Sequence, residues 1–480
     1  MSYTFNTAGG KFHVDQGYNK LTPFGGLIAF ASFLDGLGII ERLVETCPVN
    51  RTSNNALPVR DILVGFILTC VNEGRRFKDI RYLQNDPVIT KAFGIKRRIP
   101  SDDTLRRFFE EIQSEDGKQW LYTVNDWLYQ SLSDFYILDW DSTVTTRYGS
   151  QEGVEVGFNP HKPGRGSHHP LICTISGVRL CLHMDFRPGD AYTSSGWIST
   201  MEEFFSHLPS NKRPFLNRAD IGFSSEEFLS WHEIVPSRPH YLFKLRKTKR
   251  VQEAIAHVTE DQWEGAASFG ALQVAESNLM LHGWRKKRRV VLGRRLINKQ
   301  SPEESGTLFG ICEYHYYAFV TDLLESQFNT WQIVELYNQR ADCENIYDEL
   351  KNQWGLSGFC SQQSHVTEIA ARLLLLSYNL WSVFVRFFSL NNHKEARTSR
   401  REFLLFPAQL VESGREKHLN VSVFGTLWEK IKEGYYRLIF WLKRTAPQLK
   451  IGSYFGNWAQ AILPSINSPN VKLLTFNCGI

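Results

Sequence analysis

The stretch FYILDWD, Phe135–Asp141, sets an acid at the end of an apolar strand. Its residues alternate with the period of a β-strand: Ile137, Asp139 and Asp141 share one face, Leu138 and Trp140 the other. A carboxylate in such company is costly unless it is paired or bound to a metal. A Gly-rich loop follows, Tyr148–Pro170, and then LICTIS and VRLCLHMDF, two strands joined at Gly177. Ser194–Leu208 has helical spacing, and PFLNRAD, Pro214–Asp220, is a short strand that again ends in an acid. The order is strand, strand, strand, helix, strand, with acids on the first and fourth strands.

A later stretch, YNQRADCENIYDELK (Tyr337–Lys351), carries a third acid. Tyr337, Arg340, Glu344 and Lys351 stand at offsets 0, 3, 7 and 14. At about 100° per residue they fall within an arc of roughly 60° on one continuous helix. Leu336, Cys343, Ile346, Tyr347 and Leu350 form an apolar stripe beside that arc. An ordinary amphipathic helix with an Arg340–Glu344 pair, worth a few tenths of a kcal/mol, accounts for the same pattern. Asn329 or Thr330 is placed to cap the element.

Length implies about two or three domains. With 42% hydrophobic and 22% charged residues the composition is that of a soluble globular protein. Eight cysteines without a CxxC argue against a zinc site and a disulfide framework and point to a reducing cytoplasm. The N-terminus shows no basic-then-apolar signal pattern. The net charge of +5 says little, but Tyr241–Gln300 holds 13 Lys and Arg against 5 Asp and Glu, a balance of +8 where the rest nets −3. This stretch alternates like strands and contains Trp263, Trp284 and the run Arg285, Lys286, Lys287, Arg288. A footprint for DNA and a solvated basic surface are the two readings. Residues 1 to about 130 are expected to be helical, with Leu27–Val44 one helix and Val59–Val71 another opened by Pro58. Lys96-Arg97-Arg98 precedes a helix that Ser101 or Asp102 can cap, and fits either a DNA-docking module or a scaffold with a solvated loop. From Ser364 the chain reads as largely helical. Ile369–Phe388 reads as a core helix rather than a membrane span, and Arg397–Arg401 as a surface face.

The strand order resembles the RNase H-like fold, in which the first and fourth strands are neighbours and a later helix supplies a third acid. The spacing of Tyr337, Arg340, Glu344 and Lys351 matches the Y-R-E-K signature of the DDE transposases of bacterial insertion sequences. DSTVTTRYGSQEG (Asp141–Gly153), GFNPHKPGRGSHHPL (Gly157–Leu171), FRPGDAYTS (Phe186–Ser194), RADIGF (Arg218–Phe223), YNLW (Tyr378–Trp381) and REFLLFPAQLV (Arg401–Val411) resemble that group too. The resemblance implies an α/β protein with an RNase H-like catalytic core, a β-rich insertion and helical N- and C-terminal regions. Its parts would be a DNA-binding region at 1–130, core at 131–235 and 313–390, insertion at 236–312 and helical C-terminal region at 391–480. Asp141, Asp220 and Glu344 would be the catalytic, metal-binding triad for Mg²⁺, with Mn²⁺ as a possible substitute. Asp139 faces the same way as Asp141, and only the match of Asp-Ser-Thr to the family motif favours Asp141. Tyr337, Arg340 and Lys351 would contact DNA-end phosphates, and the insertion would press on the DNA end. The implied partner is double-stranded DNA, both inverted-repeat ends and target, bound by a homodimer at the bacterial nucleoid with no membrane involved. A structure-selective nuclease and a non-catalytic regulator derived from a transposase are the alternatives.

Overall fold

The computed structural model describes residues 3–7, 10–14, 20–53, 55–132, 136–266, 268, 270–300, 311–389, 393–414 and 416–445. Strands β1 (Tyr3–Thr7) and β2 (Gly10–Val14) form an antiparallel pair, and β3 (Leu21–Thr22) leads into the helical region. The expected Leu27–Val44 helix is two helices, α1 (Leu27–Leu37) and α2 (Ile39–Glu45). Gly38 between them has φ 62°, a left-handed conformation free of Cβ strain, and its N–H closes α1 on the carbonyls of Leu34 and Asp35. Helix α3 (Val59–Val71) starts directly after Pro58, as the spacing predicts. A 3₁₀ turn (Phe77–Tyr82), α4 (Pro87–Ala92), α5 (Asp102–Glu110) and α6 (Ser114–Gln130) follow. Ser101 is the cap of α5; its hydroxyl accepts the Thr104 N–H at 3.3 Å.

The period changes at β4 (Ile137–Ser142); Phe135, expected to begin this strand, lies outside the described residues. Short strands β5 (Thr145–Thr146), β6 (Glu155–Val156) and β7 (Gly166–His168) make a small sheet of their own. Then come β8 (Leu171–Ile175), β9 (Leu180–Asp185), α7 (Trp197–Ser206), β10 (Leu216–Ala219), α8 (Glu226–Ile234), β11 (His240–Lys244) and α9 (Lys249–His257). Three long strands complete the series, β12 (Leu272–Leu279), β13 (Arg288–Gln300) and β14 (Ile311–Thr321). One eight-stranded sheet runs β12-β13-β14-β11-β10-β4-β8-β9. Strands β4, β10 and β11 are parallel and the rest pair antiparallel. The strands of the basic insertion therefore build no sheet of their own: β14 pairs with β11, so they continue the central sheet. Residues 301–310 of that insertion lie outside the described residues.

Alternation along β4 divides the protein into two layers. Leu138 and Trp140 face one side, where Trp140 meets Trp197 and Phe204 with ring centroids 6.0 and 6.2 Å away. Ile137 faces the other, packed with Leu216, Leu242, Val291 and Phe319 under a helix, α10 (Thr330–Asn338). Asn329 caps α10 reciprocally with Gln332, at 3.0 and 2.9 Å. Helix α11 (Ala341–Gln353) continues over the same face, and α12 (Ser364–Val385) runs through the interior against α3, α5, α6 and β9. Helix α12 is long and apolar enough to cross a membrane, but its apolar window is wholly buried inside the protein.

The helical expectation for the C-terminal region is corrected in one place. After α13 (Ala396–Phe403), Pro407 blocks helical continuation, and β15 (Ala408–Ser413) and β16 (Glu416–Val421) pair as a hairpin that joins β3. Ala408 and Leu410 point inward with period two. Helix α14 (Gly425–Thr445) then packs on α1, and residues 446–480 lie outside the described ones. The Arg397–Arg401 run is more than a surface face. Arg400 is fully buried, donating to the carbonyls of Gln353 and Cys70 at 2.7 and 3.0 Å with its guanidinium 4.3 Å from the Trp354 ring centroid.

Candidate active site

The register of β4 and β10 sets Trp140 beside Ala219. The next residues along, Asp141 and Asp220, thus stand abreast on neighbouring parallel strands, which are about 4.8 Å apart. Asp139 and Arg218 sit one pleat further back on the same face. Arg218 grips Asp139 with both arms, Nε to Oδ1 at 2.7 Å and Nη2 to Oδ2 at 2.8 Å, and both side chains are at most 1% exposed. Asp139 is thereby committed to a buried, two-pronged ion pair, while Asp141 is left at the open end of the strand. Sequence reasoning passed over Arg218, although the alternation that groups Asp139 with Asp141 also puts Arg218 on their face.

The expected single helix through Tyr337–Lys351 is broken by a tight turn at Gln339–Arg340. In a continuous helix the Arg340 N–H would reach the Leu336 carbonyl. That carbonyl instead accepts from Arg218, and the Arg340 N–H bonds to the Tyr337 carbonyl at 2.9 Å. The four signature residues therefore do not share one helical face. Tyr337 turns inward against Phe319, their ring centroids 4.4 Å apart. Arg340 turns to the strand end: its Nη2 lies 2.8 Å from Asp141 Oδ2 and 3.1 Å from the Trp140 carbonyl. The ion pair of Arg340 is with Asp141, not with Glu344. One turn on, the Tyr347 hydroxyl bonds the carbonyls of Asp141 and Ile172 at 3.3 and 3.0 Å. Helix α11 is thus pinned across the end of β4 on both sides of Glu344, which is exposed. Lys351 lies further along α11, half-buried.

Burial pushes the Asp141 carboxyl above its usual range; Arg340 opposes this, and the Asp220 carboxylate beside it pushes the same way. Burial likewise raises the Tyr337 phenol and lowers the Lys351 ammonium. Asp220 keeps one carboxylate oxygen, Oδ1, buried without a hydrogen-bond partner. Two adjacent carboxylates with an unsatisfied oxygen between strand ends are the donor set a hard divalent cation prefers. Among the described residues no three acidic, histidine or cysteine side chains converge closely enough to enclose a metal. The structure brings Asp141 and Asp220 together and leaves Glu344 on the adjoining helix, outside the pair.

Part of the insertion's positive charge is committed to glutamates. Arg288, expected to contact DNA, is 4% exposed. It pairs with Glu226 and Glu233 of α8, each at 2.7 Å, and stacks 5.3 Å from the Trp284 ring centroid. Arg289 is tied to Glu276 at 2.7 Å and Arg294 to Glu260, with Trp263 buried beneath Arg294. Arg285, Lys286 and Lys287 are exposed, and Lys286 lies 3.0 Å from Glu233. The charge count missed these pairs because half of the partners, Glu226 and Glu233, precede the stretch that was counted.

A solved cryo-EM structure of a piggyBac transposase synaptic complex with hairpin DNA aligns with 92% of this chain and 85% of its own, at 12% identity and a TM-score of 0.39. That likeness is too distant to argue from. Comparison with curated proteins gives no match. The family model for the Transposase DDE domain group 1 matches residues 8–426. That span takes in both aspartate-bearing strands, the insertion and the helix with Glu344, and so the chain belongs to the DDE-domain transposases.

Proposed function

We propose that this transposase binds the terminal inverted repeats of its own element, a bacterial insertion sequence of the Y-R-E-K group, as a homodimer assembled on DNA ends. It cuts and rejoins DNA there by cut-and-paste transposition on an RNase H-like core. The observation that carries the reading is the pair Asp141 and Asp220, abreast at the ends of parallel strands, with Asp220 Oδ1 unsatisfied. Asp141, Asp220 and Glu344 would hold the metal. Divalent ions such as Mg²⁺ supply an activated nucleophile and stabilise the leaving oxygen of a phosphodiester. The protein's own residues do the positioning. Arg340 steadies Asp141 from the helix side and Tyr347 fixes the strand end by its carbonyls. Glu344 would join the two aspartates from α11, on the turn between Arg340 and Tyr347. Water attacks first and frees a 3′-hydroxyl, which then attacks a second phosphodiester, without a covalent enzyme intermediate.

The test uses the full chain and a DNA duplex carrying the element's own end. Asp141→Asn is expected to abolish nicking while the Kd for the end stays within a few-fold of wild type. Nicking at the wild-type rate would reject Asp141 as a metal ligand. Joined products with wild type support a transposase. Cut ends that are never joined would make the protein a nuclease, and binding without cutting a regulator.

A further inference from the structure

A cleft of about 700 Å³ opens between the helical N-terminal region and the central fold, and the Asp141 carboxylate acts on the ammonium of Lys351 in its wall. Arg75, Arg76 and Lys78 line one wall; Arg147 and Tyr148, a few residues beyond Asp141, line another, with Lys351 of α11. No aspartate or glutamate is among the lining residues. The walls are joined rather than merely adjacent. The Phe359 N–H bonds the Arg75 carbonyl at 2.9 Å, and Gly358 lies so close to that oxygen that a Cβ would sit 1.8 Å from it. The Asp79 carboxylate holds the backbone N–H groups of Arg75 and Arg76 at 2.8 and 2.9 Å.

Two features ask for a ligand. Arg147 is only 4% exposed and has no carboxylate partner among the described residues. Its Nε meets His168 Nδ1 at 3.1 Å and its Nη1 donates to the Ser357 carbonyl. Burial, with Arg147 adding to it, holds the His168 ring down at about 4, so the ring offers a lone pair and no counter-charge. A buried, uncompensated cation is costly, and an anion in the cleft would offset it. The second feature is Tyr148, 69% exposed at the cleft. Lys162 and Arg165 lie 4.8 and 6.0 Å from its ring centroid, so the ring projects amid positive charge. An exposed aromatic ring among cations is the arrangement that stacks an unpaired base.

We propose that this cleft takes a single DNA strand next to the cut site, its phosphates on Arg75, Arg76, Lys78 and Arg147 and one unpaired base on Tyr148. Charge complementarity selects a polyanion. The volume, that of a small-molecule pocket, admits nucleotides of one strand and not a duplex. The inference rests on the transposase reading for the identity of the strand, and it is tested without cutting. Anisotropy in EDTA measures binding of the full chain to a fluorescein-labelled oligothymidylate and to a blunt duplex of equal length. Tyr148→Ala is expected to raise the Kd for the single strand roughly 5- to 100-fold. Tyr148→Phe, which keeps the ring, should bind as wild type, and duplex affinity should not move. Arg76→Ala combined with Lys78→Ala should flatten the salt slope of single-strand binding by about 1.4, or ~0.7 per lost contact. A Tyr148→Ala protein that binds the single strand as wild type overturns the proposal, as does an equal loss on both DNAs. A wild type that cuts nothing but binds single strands through Tyr148 removes the transposase reading and leaves the cleft standing. Normal cutting with normal Tyr148→Ala binding removes the cleft alone.

Discussion

Asp139 and Asp141 differ by one pleat and by everything that surrounds them. Asp139 has both oxygens on Arg218 in a dry interior, whereas Asp141 has Arg340 on one side and Asp220 on the other. Removing one partner of a buried pair leaves the other charge stranded, so Asp139→Ala is expected to cost about 3–5 kcal/mol. Asp141→Asn relieves the burial of a charge and the repulsion from Asp220 but gives up the Arg340 pair, so it is expected to lower the melting temperature less than Asp139→Ala does. Thermal melts of the two variants side by side check this, and a larger loss with Asp141→Asn would exchange the roles. The alternation in FYILDWD placed both acids on one face, but it could not rank them. The ranking depends on Arg218, which reaches Asp139 from a strand 79 residues away in the chain. Arg340 shows the same limit. Helical arithmetic grouped it with Glu344, yet a competitor for the Leu336 carbonyl, invisible in local sequence, turned it towards Asp141.

At the scale of elements, period and caps were legible and partners were not. Val59–Val71 and the change to strands at β4 follow from spacing, which narrows the α10 cap to Asn329 or Thr330, whereas the adjacency of the two acid-bearing strands is expected from the resemblance to the RNase H-like strand order. The merging of the insertion into the central sheet does not follow from spacing, because it is decided by the long-range β11–β14 pairing. Arg288 fastens that insertion to α8 through Glu226 and Glu233. Arg288→Ala is therefore expected to cost about 3–5 kcal/mol, measured by urea unfolding at neutral pH. The pH dependence has a definite sign. The hydrogen bond from Arg288 holds the Glu226 carboxyl down at about 2, below the ordinary glutamate value of about 4.3. Its stabilisation is complete above that ordinary value and is lost as the pH falls through about 2. The gap between wild type and Arg288→Ala should narrow over that window; a constant gap would mean that Arg288 acts by packing on Trp284 alone.

For the whole molecule the question is where positive charge is free to meet a polyanion. A count along the chain puts it in Tyr241–Gln300, but folding commits Arg288, Arg289 and Arg294 to glutamates. What the insertion still offers at its surface is Arg246, Lys247, Lys249 and Arg250, together with the turn of Arg285, Lys286 and Lys287, where Lys286 already faces Glu233. Each phosphate neutralised on a duplex adds about 0.9 to the slope of log K against log salt, so the slope counts free cations, whereas stability counts paired ones. Ala at Arg285, Lys286 and Lys287 together is expected to flatten the slope for duplex ends by about 2, since at most two of the three lack a carboxylate. The same change should leave the melting temperature nearly unmoved, because exposed charges contribute little to stability. Arg288→Ala should do the reverse, lowering the melting temperature with the slope unchanged. Equilibrium binding of a duplex end across a salt series, with melts run on the same preparations, separates the two. A flattened slope for Arg288→Ala in a protein that melts like wild type would mean that Arg288 leaves its glutamates for DNA. The insertion would then be a surface that opens on binding, not one that is already built.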